Sequence, residues 1–199
     1  SSQQLDAAIK AEVSRRKAIR LICIGGLPAT VSKAITALKI PVTSLDAQSP
    51  AALSALLATS ASYKANTPIV MVSDSDLTSQ PLAVSLAARL RQPLLMVSNG
   101  VLAPEVAAYA MSAQPSATSV VGDAKQVPDG VVAGIGVVSR LTTGDLQLAS
   151  IVAASQVFDA AGSALLLVNP LVATQVAVVA AASGLPLYYL QDVTRAGGE

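Results

Sequence analysis

The chain has 199 residues, 52% of them hydrophobic, 13% charged, and a net charge of +1. This composition excludes a disordered tail and leaves enough apolar material for one sizeable core or two small ones. It also excludes a basic face able to neutralise a run of phosphates, and with aromatics at 3% and no Trp there is no stacking platform, so nucleic acid is not an expected partner.

The chain opens Ser1-Ser2 without Met and without a charged n-region leading into an apolar one, so a signal peptide is either absent or removed with the rest of a longer chain, and the chain is read as a fragment. Leu5, Ile9 and Val13, with Lys10, Arg15, Arg16 and Lys17 between and after them, predict an amphipathic helix within residues 1–18, its basic end complementing the helix dipole. Short apolar runs then recur at Ile19–Ile24, Val42–Leu45, Pro68–Ser73, Pro93–Val97, Ser119–Val121, Val137–Leu141, Ala164–Val168 and Pro186–Leu190. Each reads as a buried strand, and helical spacings such as Leu82, Leu86 and Leu90 lie between them. Strands alternating with helices over short connections predict an α/β fold of βα units, with mainly parallel sheets covered by helices. The stretch from Ala160 to Gln191 has no charge and enough hydropathy to span a membrane, but Asn169-Pro170 and Gly184-Leu185-Pro186 divide it into strand, helix and strand, so no membrane span is expected.

The punctuation repeats. Ile22-Cys23-Ile24-Gly25-Gly26 followed by Val42-Thr43-Ser44-Leu45 corresponds to Ser119-Val120-Val121-Gly122-Asp123 followed by Val138-Ser139-Arg140-Leu141. Ile69–Ser73 matches Leu165–Asn169, and Gln92–Met96 matches Leu185–Tyr189, at a period of roughly 95 residues, the size of a small domain. Two Rossmann- or flavodoxin-like repeat units are therefore expected, at 19–116 and 117–199, with helix 1–18 as the end of a preceding unit.

Catalytic chemistry is sparse. His is absent, which removes the commonest general base and metal ligand, and the single Cys23 lies in an apolar run that predicts an inert core thiol. No metal and no cofactor is expected. The loop Ser73-Asp74-Ser75-Asp76 has too few ligands for a calcium loop. Gly134-Ile135-Gly136 precedes a strand where a dinucleotide motif must follow one, and Gly25-Gly26, between a strand and a helix opened by Pro28, is either an anion-facing turn or a tight connection.

Ligands of open parallel sheets bind beyond the carboxyl ends of the strands. The candidate ligand residues there are Ser73, Ser75, Asp76, Thr78, Ser79, Ser98, Asn99, Arg140, Thr143 and Asp145. The same residue types cap helices, an alternative that applies most to Ser79, Asn99, Thr143 and Asn169. Arg140 at a strand end calls for a partner, and Asp145 is the expected one.

The stretch Pro68–Val152 resembles the type 2 cell-wall-binding repeat of Gram-positive surface and S-layer proteins. The order carries the resemblance: strand Ile69–Ser73, polar turn Asp74–Gln80, Leu86-Ala87-Ala88-Arg89-Leu90-Arg91-Gln92-Pro93-Leu94-Leu95-Met96, helix Leu102–Ala110, Val120-Val121-Gly122, and a closing Arg140-Leu141 with Asp145. The chain departs from that family's pattern at Leu77-Thr78-Ser79-Gln80, at Gly122-Asp123 and at Asp145-Leu146-Gln147. The resemblance implies a non-catalytic, exported, envelope-associated module that binds an anionic cell-wall polymer, in tandem copies packed together. The departures keep open a protein-interaction or structural module that holds another envelope protein or a second copy of itself. A third reading is a small-molecule-binding α/β enzyme drawing its acid or base from Asp46, Asp74, Asp76, Asp123 or Asp145.

Overall fold

The structure is a computed structural model that describes residues 7–142, 144, 146–157, 166–168, 178–179, 182–183 and 187–189. The chain divides into two compact units, Ser1–Ser49 and Pro50–Glu199.

In the first unit, helix α1 (Ala7–Arg15) is followed by strand β1 (Leu21–Ile24), helix α2 (Ala29–Thr36) and strand β2 (Val42–Leu45). Both Arg15 and Arg16 grip the carboxylate of Glu12 at 2.6 Å, which holds that carboxyl well below its usual range, at about 2. Strands β1 and β2 pair in parallel, Leu21 opposite Val42 and Ile24 opposite Leu45. The apolar run around Cys23 is a strand, as expected, but not a buried one. Ile22 and Ile24 are exposed and Cys23 is half-buried, because among the described residues β1 pairs with β2 alone.

The second unit holds helix α3 (Pro50–Ser60), strand β3 (Ile69–Ser73), helix α4 (Gln80–Leu90), strand β4 (Leu94–Val97), helix α5 (Pro104–Ala113), strand β5 (Ala117–Val121), helix α6 (Asp129–Val132), strand β6 (Val137–Leu141) and helix α7 (Leu146–Val157). Strands β7 (Leu166–Val168) and β8 (Leu187–Tyr189) complete the described elements. Four strands form a parallel sheet in the order β4-β3-β5-β6, and β7 and β8 form a separate parallel pair. This is the Rossmann-like α/β arrangement that the alternation predicts.

The sheet is buried on both faces, which is why its strands read as unbroken apolar runs. All five residues of β3 are buried. On one face Val70, Val72 and Val121 pack with Leu82 and Leu86 of α4, with Ala149 and Ala153 of α7, and with Leu187 and Tyr189 of β8. On the other, Ile69, Met71, Leu95 and Val120 pack with Ala51 and Ala55 of α3 and Val106 of α5. Alanines at these helix positions let the helices lie close to the sheet. Strand β6 departs from the expected burial: Val137 and Val138 are exposed, because it lies at the edge of the sheet.

The sheet also runs through residues 116 and 117, where two repeat units were expected to meet. Strand β5 pairs with β3, Val70 opposite Ser119 and Val72 opposite Val121, so strands assigned to different units hydrogen-bond to each other. The division between compact units falls after Ser49 instead. The period counts elements in chain order, whereas the sheet is built by inserting β5 on the far side of β3 from β4. Among the described residues no helix is long and apolar enough to cross a membrane.

Gly136 anchors the entry to β6. Its φ is +66°, and a Cβ there would collide with the carbonyl oxygen of Pro115 and crowd the backbone before β5. Gly134 also has a positive φ, +84°, but faces open space. Replacing Gly134 by Ala is expected to cost about 1 kcal/mol, the left-handed penalty alone, and Gly136→Ala at least about 2 kcal/mol, since backbone must also move. Urea unfolding of the two variants checks this order.

Candidate functional site

Strand β4 returns to one side of β3 and β5 to the other, so the crevice between the carboxyl ends of β3 and β5 is the topological switch point of the sheet, where open α/β folds bind their ligands. The turn from β3 into α4, residues 74–79, and the loop after β5, beginning at Gly122, form its walls.

The crevice is filled from within. Asp76 is buried, and its Oδ1 accepts the backbone N–H groups of Thr78 at 3.2 Å and Ser79 at 3.1 Å and the Thr78 hydroxyl at 2.7 Å. Its Oδ2 accepts the Ser79 hydroxyl. Free N–H groups at a helix start are what an external phosphate would use. Here an internal carboxylate takes them. Gly122, at φ +123°, lies against this pair: a Cβ on it would be 3.3 Å from Asp76 Oδ2 and 3.7 Å from Ser79 Oγ. The glycine ending β5 thus makes room for the carboxylate.

Neighbouring groups are similarly committed. The hydroxyls of Ser73 and Ser75 share a hydrogen bond of 2.9 Å, and Ser98 donates to Asp74 Oδ2. Gln80 Nε2 donates to the carbonyls of Ser73 and Asp74, at 3.2 and 2.9 Å. Tyr189 of β8 donates its hydroxyl to the Thr78 carbonyl at 2.7 Å and is itself buried, and its backbone N–H reaches Ser150 Oγ of α7 at 3.2 Å. Burial first, and the nearby Asp76 charge second, push the Tyr189 hydroxyl above the usual phenol range, so it stays a neutral donor.

Arg140 does find a partner, on the side away from the expected one. Its guanidinium donates to the carbonyls of Gly122 at 2.9 Å and Val127 at 2.7 Å and pairs with Asp129 at 2.5 Å. It therefore clamps the loop from β5 to α6. Asp145, like Thr143, Asn169 and Asp192, lies outside the described residues. Two helix-cap expectations change. Ser79 stands at the cap position of α4 but has helical φ and ψ and caps with no side-chain hydrogen bond; Asp76, three residues earlier, supplies the acceptor. Asn99 sits at φ +51° in the tight turn where Ser98 and Val101 exchange backbone hydrogen bonds, and the cap of α5 is Ala103.

Of the sequence candidates, Ser73, Ser75, Asp76, Thr78 and Ser79 come together at the end of β3 and the turn into α4, Ser98 reaches Asp74 from the end of β4 on the other side of β3, and Arg140 holds the loop after β5. Gly25 and Gly26 lie in the other unit, where Gly25, at φ +79°, donates its N–H to Leu45 O at 2.8 Å as a continuation of the β1–β2 ladder. The carboxylate of Asp46 stands beside Gly26, 3.8 Å from where a Cβ would be. A negative charge at that turn opposes an anion, and the tight connection is what the geometry shows. Gln80 and Tyr189 were missed. Gln80 has no local signature, but Asp76-Leu77-Thr78-Ser79 ahead of a helical run is a capping pattern.

Asp76→Ala leaves the buried Ser79 N–H and hydroxyl and the partly exposed Thr78 N–H and hydroxyl without their acceptor, an expected loss of about 2–4 kcal/mol in urea unfolding. Asp76→Asn keeps one acceptor oxygen and costs less. A carboxylate held ready for an external ligand would instead change stability by under about 0.5 kcal/mol.

No protein-family model matches this sequence, and neither does any curated protein. Solved structures do. Cwp6 from Clostridium difficile superposes on 94% of the chain with a TM-score of 0.74 at 16% identity, and Cwp8 from the same organism on 94% with a TM-score of 0.62 at 14% identity. The chain spans 32% of each. At this identity the likeness shows a shared fold.

Proposed function

We propose that the chain is a non-catalytic module of an exported, cell-wall-associated protein, and that it holds that protein to an anionic wall polymer. The observation that carries the reading is the fold shared over 94% of the chain with two cell wall proteins. The closed crevice supports the non-catalytic part: the carboxylates of Asp74 and Asp76 and the hydroxyls of Thr78, Ser79 and Ser98 are hydrogen-bonded to one another and to the start of α4.

Charge distribution supports the polymer part and moves it away from the strand ends. The first 49 residues carry seven Lys and Arg against three Asp and Glu, a net of +4, whereas residues 50–199 carry six against nine, a net of −3. An anionic polymer is drawn to the first unit and repelled by the edge that carries Asp74, Asp76 and Asp123. Lys17, Arg20, Lys33 and Lys39 of the first unit are all exposed.

Interaction with another envelope protein is a second reading, favoured by one feature. A cleft of about 540 Å³ beside α5 and α6 is lined by Leu102, Ala107, Met111, Val131 and Ile135.

Co-sedimentation with purified cell walls, before and after chemical removal of their anionic polymers, separates the readings. Wall anchoring gives binding that disappears on polymer removal and weakens as salt rises through the range that screens exposed charge. Charge reversal at Lys33 and Lys39 lowers it several-fold, whereas Asp123→Asn leaves it unchanged. Absence of binding to intact walls would remove the anchoring reading.

A further inference from the structure

The chain has four tyrosines and no tryptophan, yet two of the four line one pocket. The cavity, of about 500 Å³, lies between the end of α3, the loop that follows it and one face of α5. All of its walls belong to the second unit, and none is a strand edge or a chain end. It is separate from the crevice, because α3 and α5 cover a face of the sheet whereas the crevice opens at the strand ends.

Helical spacing builds one wall. Glu105, Tyr109 and Ser112 stand at intervals of four and three and so share a face of α5. Alanines at Ala58, Ala108 and Ala113 leave the space between the two helices unfilled. The facing wall carries Ser62 and Tyr63 on a loop held to one shape. Ser62 and Asn66 take left-handed φ values of +53° and +62°. The Asn66 N–H donates to the Ala113 carbonyl at 2.8 Å, the Ser116 hydroxyl to the Asn66 carbonyl at 2.8 Å, and the Thr67 hydroxyl to the Lys64 carbonyl at 2.6 Å. The loop bearing Tyr63 is thus fastened to the end of the helix that bears Tyr109. A ligand entering between them has little to order, and the volume falls within the roughly 300–1,000 Å³ of small-molecule pockets.

The crevice groups are bonded to one another, and those of this pocket are not. Among the described residues the side-chain oxygens of Ser62, Tyr63, Glu105, Tyr109 and Ser112 hydrogen-bond to no other group of the chain. Burial first, and neighbouring Tyr63 second, raise the Tyr109 hydroxyl above the usual phenol range, so it is a neutral donor. Glu105 is the one charged residue in the lining, and Lys64, exposed on the Tyr63 loop, offsets it at longer range. An anion is therefore opposed by the carboxylate, and a cation is drawn by little net field. The walls suit a neutral molecule with C–H groups on its faces for the tyrosine rings and hydroxyls on its rim for a carboxylate and two serines. A sugar ring has that arrangement.

We infer that this pocket binds a neutral sugar residue, its C–H face against Tyr63 and Tyr109 and its hydroxyls donating to Glu105. The contact uses no cation, so it is distinct from the charge-driven binding of an anionic polymer by the first unit and is insensitive to salt.

Titration of the full ¹⁵N-labelled chain with four neutral disaccharides (maltose, lactose, mannobiose and N,N′-diacetylchitobiose) tests this, with glucuronate and glucosamine as charged controls. At least one disaccharide is expected to shift the amides of residues 62–66 and 105–113 saturably, with a Kd on the order of 1 mM that does not change when salt is raised to screen exposed charge. Tyr63→Ala and Glu105→Gln are each expected to weaken binding about tenfold. Both residues are exposed, so urea unfolding of the two variants is expected to match that of the unsubstituted chain. No saturable shift with any of the four disaccharides, a stronger response to glucuronate or glucosamine, or binding that survives both substitutions would overturn the inference.

Discussion

The carboxylate of Asp76 is the interaction on which the second unit's architecture turns. Parallel sheets leave a crevice where successive connections depart in opposite directions, and the N–H groups at the start of the following helix need an acceptor there. In open α/β sheets that bind nucleotides a phosphate meets that need. Here the chain meets it itself: the Asp76 carboxylate accepts from the backbone N–H and the hydroxyl of both Thr78 and Ser79. Gly122 leaves the space, Tyr189 fastens the Thr78 carbonyl to β8, and Arg140 clamps the loop that starts at Gly122. A site whose donors and acceptors are satisfied internally acts as a structural joint, and the proposed function therefore looks for recognition elsewhere on the molecule.

That relocation has an electrostatic logic. Closing the crevice with carboxylates makes the strand-end edge acidic, while the excess of Lys and Arg gathers in the first 49 residues. A polyanion is recognised by many weak, screened contacts with exposed cations and needs no deep pocket. On the proposed reading the absence of histidine and the few aromatics carry no penalty, since holding a polyanion calls for neither stacking nor acid–base chemistry.

Much of the fold was legible in the sequence. Short apolar runs and period-3.6 spacings, with Gly and Pro as punctuation, place every described strand to within two or three residues; Val42–Leu45 and Val137–Leu141 coincide with β2 and β6. What the pattern does not encode is which strand lies beside which. The run Leu21–Ile24 is as apolar as Val70–Ser73, yet one is half-open and the other sealed, because burial depends on a neighbour strand and not on the strand's own residues. For the same reason the repeat predicted two units across 116 and 117, where β5 in fact lies on β3. The candidate site was partly readable. Its residues do converge, but hydroxyls and carboxylates that bind a ligand and those that cap a helix are the same residue types, and only the positions of Asp76, Thr78 and Ser79 relative to α4 distinguish them. Arg140 announced a partner without identifying it, since Asp129 lies before it in the chain and beyond any local spacing rule.

The most direct test of the closed crevice is amide chemical-shift mapping of the ¹⁵N-labelled chain titrated with soluble anionic wall polymer, and separately with nucleotides. The account requires polymer-induced shifts to fall on residues of the first unit around Lys33 and Lys39, with the amides of Thr78, Ser79 and Gly122 unmoved by either titrant. Saturable shifts concentrated at Thr78, Ser79 and Gly122 would mean that an external anion displaces Asp76, and would contradict it.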